Sequence, residues 1–570
     1  MTIPTTVGRW LPGLTVARGY RREWLRHDIT AGVALTALLI PAGLGYAEVA
    51  GLPPVTGLYA TIVPLLVYAV LGPSRILVLG PDSSLAPIIA AAVVPLAVAG
   101  PERVALAGVL ALEVGVALII AAVLRLGALT SLLARPIRIG YLNGIALAVV
   151  VGQLPTLLGF AVDADSLSGE VTAIARGIAD GAVDLRAAAL GIGSVLVILV
   201  LARCLPRIPG VLVAVVAATV VVVVAGWRGE VPVVGEMPRG FPTPALGGVS
   251  WDDAVSLVIP ALGIALIAFT DTGVLSRTFA ARDGRHIDSN REMSALGGAN
   301  IASGLLGGFP VSASNSRTPV ADRAGARTQL TSVVGAGLLV LALIAVPWIT
   351  ADLPRAALAA VVITAAASLV DLGAVTSLFR VDRTEGLICL AATAGVAVLG
   401  VLEGIVVAVV LAFVAFVKAV SRPYRVELGR VAGVRGFHDV TRHPQARPVA
   451  GTVLLRFDAP LFFANGAVFD DWVRDEVLAA RERGRVIERV VLACEPITGL
   501  DSSAVEELVE LDDYLRRHGI RLYFAEMKDP VREKLSRYRL TVDGVPRFSP
   551  DRFAPTVGAI VDRIENGDVA

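Results

Sequence analysis

The 570-residue chain is 55 % hydrophobic and only 17 % charged, and its mean hydropathy of +0.73 is far above that of an ordinary soluble protein. Its formal net charge is only +1, so nothing in the composition indicates nucleic-acid binding. The three cysteines, Cys204, Cys389 and Cys494, are too isolated for a disulfide framework or a zinc site. These features predict a polytopic α-helical membrane protein that lies in a lipid bilayer and has no metal centre.

Apolar runs of about the length that spans a bilayer follow one another through the first part of the chain. We place fourteen segments at 28–47, 55–72, 81–99, 104–124, 136–158, 185–203, 208–227, 252–272, 291–307, 312–325, 327–349, 355–372, 384–400 and 402–421. If the N-terminus is cytoplasmic, the loops that are then cytoplasmic hold most of the arginines, as the positive-inside rule requires. An even number of segments returns the chain to the cytoplasm. The sequence therefore predicts a multi-pass protein of the cytoplasmic cell membrane with both termini in the cytoplasm.

The composition changes sharply after Tyr424, where Arg, Glu and Asp become frequent. The stretches "GTVLLRFD", "RVVLAC" and "IRLYFAEM" are typical of strands, and they alternate with helical patterns near 466–484 and 502–518. We therefore expect a transmembrane domain in residues 1–424 and a cytoplasmic α/β domain in residues 425–570.

Two of the apolar segments begin with a Gly-Pro or Phe-Pro break followed by serines. The third segment begins with "LGPDSSLAP", and the tenth begins with "GFPVSASNS", so the breaks occupy the same place in segments 1–7 and in segments 8–14. Two repeats, about 27–227 and 250–421, explain this match, and because seven is odd the second repeat is inverted in the membrane. Interrupted short segments at matching positions of inverted repeats predict two half-helices that meet at a binding site near the membrane midplane.

The converging ends of such half-helices favour a negatively charged ligand. Each N-terminus presents unpaired backbone N–H groups and the positive end of the helix dipole. Serine hydroxyls would add further donors, namely those of Ser83, Ser84, Ser312, Ser314 and Ser316. The alternative is that these serines only cap helices or let them pack closely.

The same residues carry a resemblance to a known family. "DITAGVALTALLIPAGLGYAEVAGLPPVTGLYA" followed by "GPSRILVLGPDSSLAP" resembles the signature region of the sulfate permease (SulP) family, whose relatives include the anion exchangers pendrin and prestin. "FPVSASNSRTPVADRAGART" is similar to the second half-helix motif of that family, and "LACEPITGLDSSAVEELVEL" resembles its STAS domain. The resemblance implies a uracil-permease-like fold of fourteen segments, a cytosolic STAS domain and a homodimer.

The resemblance also implies the position of an anion site. Its residues are Asp82, Ser83, Ser84, Ser312, Ala313, Ser314, Asn315, Ser316 and Arg317. Arg317 matches the arginine of the family motif and would add positive potential, although a snorkelling arginine at a helix end is the alternative. This chain has Ala42 where "IPQ" is frequent in the family, so we expect no polar contact from that position.

Three acids are candidates for binding a coupling ion. Asp271, in "AFTDTG", lies within the eighth segment where the family carries a carboxylate, and with Thr270 and Thr272 it could hold H⁺ or Na⁺. Glu48 ends the first segment and is either a second candidate or a solvated loop acid. Asp82 would repel an anion unless it were protonated or paired with Arg317, which favours proton coupling.

The STAS-like region contains "GLDSSAV", where soluble anti-sigma-factor antagonists carry a phosphorylated serine. By this resemblance the phosphosite would be Ser503 or Ser502. Ala504 replaces the usual glycine, and Ser502 is also a plausible helix cap. We therefore favour a structural role for these serines, with a regulatory protein as the partner that the domain could bind.

An enzyme is not expected, because the membrane part has no His, Cys and carboxylate cluster with ligand spacing. A channel and a nucleobase permease are the other classes to weigh, but two half-helices at a closed site suit alternating access. The sequence predicts a secondary active transporter of a small inorganic oxyanion, with sulfate as first choice, H⁺ coupling and no cofactor. A Na⁺-coupled bicarbonate transporter, an anion exchanger and a dicarboxylate transporter are the alternatives.

Overall fold

The computed structural model of the chain describes residues 12–13, 18–97, 100–127, 135–162, 164, 167–205, 208–236, 244, 246–282, 284–345, 347–542 and 544–568. The chain divides into two compact units, Met1–Ala412 and Phe413–Ala570. The domain limit at residue 424 remains a prediction based on composition, since the last apolar helix continues from the first unit into the second.

The first unit is built from helices. They are α1 (Arg22–Val49), α2 (Pro54–Leu71), α3 (Ala86–Val93), α4 (Gly100–Val123), α5 (Arg135–Leu158), α6 (Leu167–Ala179), α7 (Leu185–Cys204), α8 (Gly210–Val224), α9 (Trp251–Arg282), α10 (Ser289–Leu305), α11 (Arg317–Arg323), α12 (Leu330–Ala345), α13 (Arg355–Ala367), α14 (Leu372–Val381), α15 (Arg383–Leu399) and α16 (Val401–Ser421). Two short strands, β1 (Leu79–Gly80) and β2 (Ser312–Ala313), interrupt the helical order. Short 3₁₀ turns occupy Val94–Leu96 and Pro347–Thr350.

Each of the fourteen predicted segments overlaps one of these helices. Among the described residues, seven helices are long and apolar enough to cross a membrane, and shorter apolar helices lie at Ala86–Leu96, Gly210–Val224, Leu330–Ala345 and Val406–Ser421. The structure adds α6 and α14, which we did not predict and which bury only one or two side chains each. The predicted polytopic helical fold is confirmed.

Helices α4 and α10 pack with their backbones in close approach. A Cβ on Gly304 would lie 2.3 Å from the carbonyl oxygen of Gly108, and a Cβ on Gly115 would lie 2.6 Å from that of Gly297. The order of these pairs runs in opposite directions along the two helices, so the helices are antiparallel. Small residues allow such contacts between membrane helices, and here they fix α10 firmly beside the rest of the bundle.

A buried carboxylate ties the start of α1 to the start of α12. Asp28 is fully buried, and its Oδ1 accepts hydrogen bonds from the backbone N–H groups of Arg327 at 2.7 Å and Thr328 at 3.0 Å. The hydroxyls of Thr328 and Thr331 donate to the same carboxylate at 2.7 and 3.1 Å. Asp28 of α1 therefore accepts hydrogen bonds from the backbone N–H groups just before α12, which have no partner within that helix, and from the hydroxyls at its start.

The second unit contains a six-stranded sheet with helices. Its elements are β3 (Arg425–Arg430), β4 (Phe437–Asp439), β5 (Thr452–Phe457), α17 (Gly466–Glu482), β6 (Arg489–Ala493), α18 (Ser502–Arg517), β7 (Arg521–Ala525), α19 (Asp529–Arg537), β8 (Thr541–Val542), β9 (Val545–Pro546), β10 (Phe553–Ala554) and α20 (Val557–Glu565). The strand order is β10-β7-β6-β5-β3-β4, parallel from β10 to β5 and antiparallel beyond it. Among the described residues, buried apolar side chains of this unit form two clusters. The three predicted strands and two predicted helices of this region are confirmed.

Candidate functional site

The two Pro-containing interruptions predicted from the sequence, at the start of the third and tenth segments, are neighbours in space. Strands β1 and β2 pair antiparallel, with Leu79 opposite Ala313 and Gly80 opposite Ser312. The backbone N–H of Ser314 extends the ladder by donating to the carbonyl of Val78 at 3.0 Å. The structure therefore joins two segments more than 200 residues apart in a short buried ladder, from which the helices α3 and α11 lead away.

The predicted serines differ in exposure and in partners. Ser83, Ser84, Ser312 and Ser314 are buried, whereas Asn315 and Ser316 are exposed. Ser314 Oγ lies 3.2 Å from Ser316 Oγ and accepts a hydrogen bond of 3.3 Å from the backbone N–H of Arg317. Ser314 thus contacts the first turn of α11. By contrast, the buried Ser312 Oγ has no hydrogen-bond partner among the described residues.

Arg317 is buried beside the ladder, with only 2 % of its surface exposed. Its Nη2 donates to the carbonyl of Pro81, but Nε and Nη1 have no partner among the described residues. A Cβ on Gly80 would lie 3.2 Å from Nη1, and Gly80 has a φ of +153° that side-chain-bearing residues rarely adopt. The glycine of β1 therefore leaves the space in which the guanidinium lies.

Two buried carboxylates share one hydroxyl at this site. Ser84 Oγ lies 3.0 Å from Asp82 Oδ2 and 3.2 Å from Asp271 Oδ2. The hydroxyl of Tyr141 donates to Asp271 Oδ1 at 3.3 Å. A serine hydroxyl has one hydrogen, so both contacts of Ser84 are hydrogen bonds only when one of the two carboxyl groups carries a proton. The arrangement can hold a proton between Asp82 and Asp271.

The other candidate ligands of a coupling ion have different contacts. The hydroxyl of Thr270 donates to the carbonyl of Leu266 in its own helix at 2.7 Å. Thr272 Oγ accepts a hydrogen bond of 3.2 Å from the backbone N–H of Ala313, so this threonine positions β2. Glu48 lies 3.5 Å from the guanidinium of Arg355, and none of its described contacts joins it to Asp271. The structure brings Asp82 and Asp271 together, and among the described residues Glu48 contacts neither of them.

Several polar residues at the site were not predicted. Tyr46 of α1 is buried and interacts with Ser83, Asp82 and Arg317. Arg138 of α5, half-buried, interacts with Asp271 and Tyr141. The only signal in the sequence was a polar side chain within or at the start of an apolar segment.

The side-chain amides of Asn300 and Gln329 form hydrogen bonds with the backbone next to the β1–β2 ladder. The side-chain amide of Asn300 accepts from the N–H of Val311 at 2.8 Å and donates to its carbonyl at 3.1 Å. Gln329 Nε2 donates to the carbonyls of Ser74 and Leu77 at 3.0 and 2.8 Å. Asn300 therefore fixes the backbone that leads into β2, and Gln329 fixes the backbone that leads into β1. An amide inside an apolar segment is the sequence signal for Asn300.

The serines of the second unit lie at the start of α18. Both Ser502 and Ser503 are exposed. The prediction that Ser502 could cap this helix is wrong, because Asp501 is the cap: its Oδ1 accepts from Ala504 N at 2.9 Å and its Oδ2 accepts from Phe463 N at 2.8 Å. A carboxylate at this position binds the free N–H groups more strongly than a hydroxyl would. Neither Ser502 nor Ser503 therefore caps α18.

Comparison with known sequences identifies the relatives of this chain. The sequence pattern of the sulfate permease family matches residues 25–392, and that of the STAS domain matches residues 443–557. A probable sulfate transporter of Mycobacterium tuberculosis is 41 % identical over 536 residues, which are 94 % of this chain and 95 % of the relative. Sulfate transporter 4.1, chloroplastic, of Arabidopsis thaliana is 29 % identical over 547 residues, 93 % of this chain and 78 % of the relative.

Solved structures share the fold. The murine Solute Carrier 26 family member A9 anion transporter, in the inward-facing state, has a TM-score of 0.90 at 20 % identity and covers 99 % of this chain and 95 % of its own. The transmembrane domain of a cyanobacterial bicarbonate transporter has a TM-score of 0.60 at 22 % identity, over 69 % of this chain and 98 % of its own. The family match confirms the predicted resemblance, and because the family consists of transporters it also confirms that the chain is not an enzyme. The chain belongs to the sulfate permease family and is a multi-pass membrane anion transporter with a C-terminal STAS domain.

Proposed function

We propose that this protein is a secondary active transporter that moves a small inorganic oxyanion, with sulfate as first choice, across the cytoplasmic membrane by alternating access. The observation that carries the proposal is the set of buried donors at the β1–β2 ladder, Ser312 Oγ and Arg317 Nε and Nη1, which lack partners among the described residues. Unmade hydrogen bonds of buried polar groups are costly. An oxyanion bound beside the ladder would accept them.

The charges around the ladder link the anion to a proton. Arg317 and Arg138 supply two positive charges, and Asp82 and Asp271 supply two negative charges when both are ionised. Once one carboxyl group binds a proton, the cluster has a net positive charge and attracts an anion, and charges interact strongly in such a buried place. Proton binding and anion binding therefore favour each other, which is the requirement for symport.

The shared hydroxyl supports the same coupling. Ser84 Oγ is within hydrogen-bond distance of Asp82 and Asp271, and only a protonated carboxyl group completes both bonds. Asp82 Oδ2 also accepts a hydrogen bond of 3.3 Å from the backbone N–H of Ser84, so we place the proton on Asp271, which donates to Ser84 while Ser84 donates to Asp82. This arrangement favours H⁺ as the coupling ion, because a single proton completes both contacts of Ser84.

The choice of substrate follows the relatives that are described as sulfate transporters. Several neutral donors and one guanidinium suit a tetrahedral dianion, although they also suit a planar monoanion. A solved structure of the same fold is described as a bicarbonate transporter, so bicarbonate with Na⁺ is the second substrate to test. Dicarboxylate transport and anion exchange are the remaining alternatives.

We also propose how the protein is arranged in the cell. It forms a homodimer, both termini lie in the cytoplasm, and the STAS domain of residues 425–570 faces the cytoplasm, where it can bind a regulatory protein. The exposed side chains of Ser503 and Ser502 are the two positions at which phosphorylation should be sought by mass spectrometry.

One experiment tests the central proposal. Purified protein in proteoliposomes is supplied with radiolabelled sulfate, bicarbonate or a dicarboxylate, each with and without imposed H⁺ and Na⁺ gradients. We expect sulfate uptake that an inward proton gradient accelerates and that a Na⁺ gradient leaves unchanged. Uptake that needs neither gradient but responds to anion preloaded inside the liposomes would establish exchange instead.

A further inference from the structure

A fully buried carboxylate lies outside the candidate site. Glu292 of α10 has no exposed surface. Its Oε1 accepts a hydrogen bond from the hydroxyl of Tyr68 in α2, and its Oε2 accepts one from Ser74 Oγ at 3.1 Å. No ion pair between described residues involves this acid, so two neutral hydroxyls are its partners. A buried acid needs hydrogen bonds to offset its desolvation, and Glu292 depends on these two.

The connection between α2 and β1, residues 72–78, is folded tightly over Tyr68. The backbone N–H of Gly72 donates to the carbonyl of Tyr68 at 2.7 Å. A Cβ on Gly72 would lie 2.4 Å from the tyrosine ring, so only glycine lets the chain turn here. The turn carries Ser74 to the carboxylate of Glu292, and the same carboxylate also holds the hydroxyl of Tyr68.

From Ser74 the connection leads by hydrogen bonds to the anion site. Gln329 Nε2 bridges the carbonyls of Ser74 and Leu77 at 3.0 and 2.8 Å. The N–H of the next residue, Val78, donates to Thr318 Oγ of α11 at 3.1 Å, and its carbonyl accepts from the N–H of Ser314. Strand β1 follows directly. A series of hydrogen bonds along residues 74–78 therefore connects Glu292 with the start of β1.

We propose that Glu292 is a positioning residue for the anion site. Its carboxylate anchors residues 72–78 and thereby holds β1, with Gly80 and the space for Arg317, in register with β2. The inference rests on the proposed function in one respect, that the anion binds at this ladder. It assigns no contact between Glu292 and the anion, and its effect is on affinity through the geometry of the ladder.

The test compares Glu292→Leu, Glu292→Gln, Tyr68→Phe and Ser74→Ala with Glu113→Gln. Glu113 is a partly buried acid in α4 whose Oε2 has no partner among the described residues, so it serves as the matched control. We expect Glu292→Leu to raise the KM for anion uptake at least about tenfold, the size that lost buried hydrogen bonds produce. Glu292→Gln keeps one acceptor and should have a smaller effect. Tyr68→Phe and Ser74→Ala should each raise KM. When either is combined with Glu292→Leu, the further rise in KM should be smaller than the rise that it causes alone.

Hydrogen exchange measured by mass spectrometry on the full-length protein separates positioning from general destabilisation. In the Glu292 variants, exchange should rise in peptides that cover residues 72–84 and 311–318 and stay unchanged in peptides from α7 and α15. Faster exchange everywhere, or local loosening with an unchanged KM, would overturn the proposal. This exchange experiment needs no transport, so it can succeed or fail separately from the proposed function, which fails if no anion is transported by the wild type. If Glu292→Leu does not fold, the Tyr68 and Ser74 variants decide the question.

Discussion

Arg317 illustrates how single residues determine the chemistry of the site. The Nε and Nη1 atoms of this buried guanidinium have no hydrogen-bond partner among the described residues, which is costly in a membrane protein unless a negative ligand or water compensates it. Its neighbour Gly80 gives up a side chain to make room for it, since a Cβ there would be only 3.2 Å from Nη1. The cost of this arrangement is understandable if an anion regularly occupies the site.

Serine side chains provide the first prediction at this scale. Ser314 is fully buried at the ladder and contacts Ser316. Replacing either serine with leucine puts a bulky apolar group beside the anion position and removes a donor, so uptake should fall to the level of empty liposomes. The variants should remain folded and inserted, as checked by size-exclusion chromatography. Wild-type uptake by both variants would refute the half-helix site.

The carboxyl pair provides the second prediction. In the wild type, acidifying the outside should raise uptake, because the protonated pair is linked to the anion-bound state. Asp271→Asn imitates the neutral acid, so anion binding persists while the pH dependence of uptake becomes flat. The measurement is initial uptake at a series of external pH values. Asp252→Asn, an exposed acid at the start of the same helix, is the matched control and should keep the wild-type pH profile.

A different result would identify another coupling ion. If uptake by the wild type at fixed pH rises steeply with external Na⁺ and does not respond to a proton gradient, the proton assignment to Asp271 is wrong. If Asp82→Asn flattens the pH profile and Asp271→Asn does not, the proton is carried by Asp82. The two variants therefore distinguish the members of the pair.

At the scale of elements, apolar length predicted the positions and order of fourteen helices but not α6 and α14. Each segment from 28–47 to 402–421 overlaps a helix, because the bilayer allows few other solutions for an apolar run of that length. The Gly-Pro break at 80–81 and the Phe-Pro break at 309–310 correctly marked the interrupted segments. The tenth segment was predicted too long: its helix is only Arg317–Arg323, since residues 312–313 pair as a strand.

The contacts of the site could not be predicted in the same way. Ser84 meets Asp271 and Tyr141 meets the same acid across 187 and 130 residues of sequence, and no local pattern encodes such pairs. Asn300 and Gln329 were missed because an amide in an apolar segment does not reveal which backbone it will hold. Helices α6 and α14 were missed because a short amphipathic helix on the surface has no spanning length.

The packing of α4 against α10 provides the third prediction. A Cβ on Gly304 would lie 2.3 Å from the backbone of Gly108, so Gly304→Leu forces the helices apart and should lower stability by about 1–3 kcal/mol or more. The measurement is thermal unfolding in detergent. Gly337→Leu on α12 is the control, because a Cβ at Gly337 meets nothing within 4 Å. Equal unfolding temperatures for the two variants would show that the close approach is unimportant.

At the scale of the whole molecule, the two units have separate hydrophobic cores. The first is formed by apolar side chains of the helices, and the second by clusters that involve the strands and helices of the STAS domain. Units with their own cores can fold independently. The proposed anion site consists of residues from the first unit alone, which makes the role of the second unit testable by removing it.

The fourth prediction concerns deletion of residues 425–570. The cut precedes β3, a strand with partners on both sides in the sheet, so no unpaired strand of the STAS domain is left exposed to aggregate. The apolar helices should still insert, because each helix satisfies its backbone hydrogen bonds within itself. Expression or turnover can change, but the KM for the anion in purified truncated protein should stay within about threefold of the wild-type value, a free-energy difference below about 1 kcal/mol. A large rise in KM, with an unchanged elution volume and thermal stability of the membrane part, would show that the STAS domain contributes to the anion site.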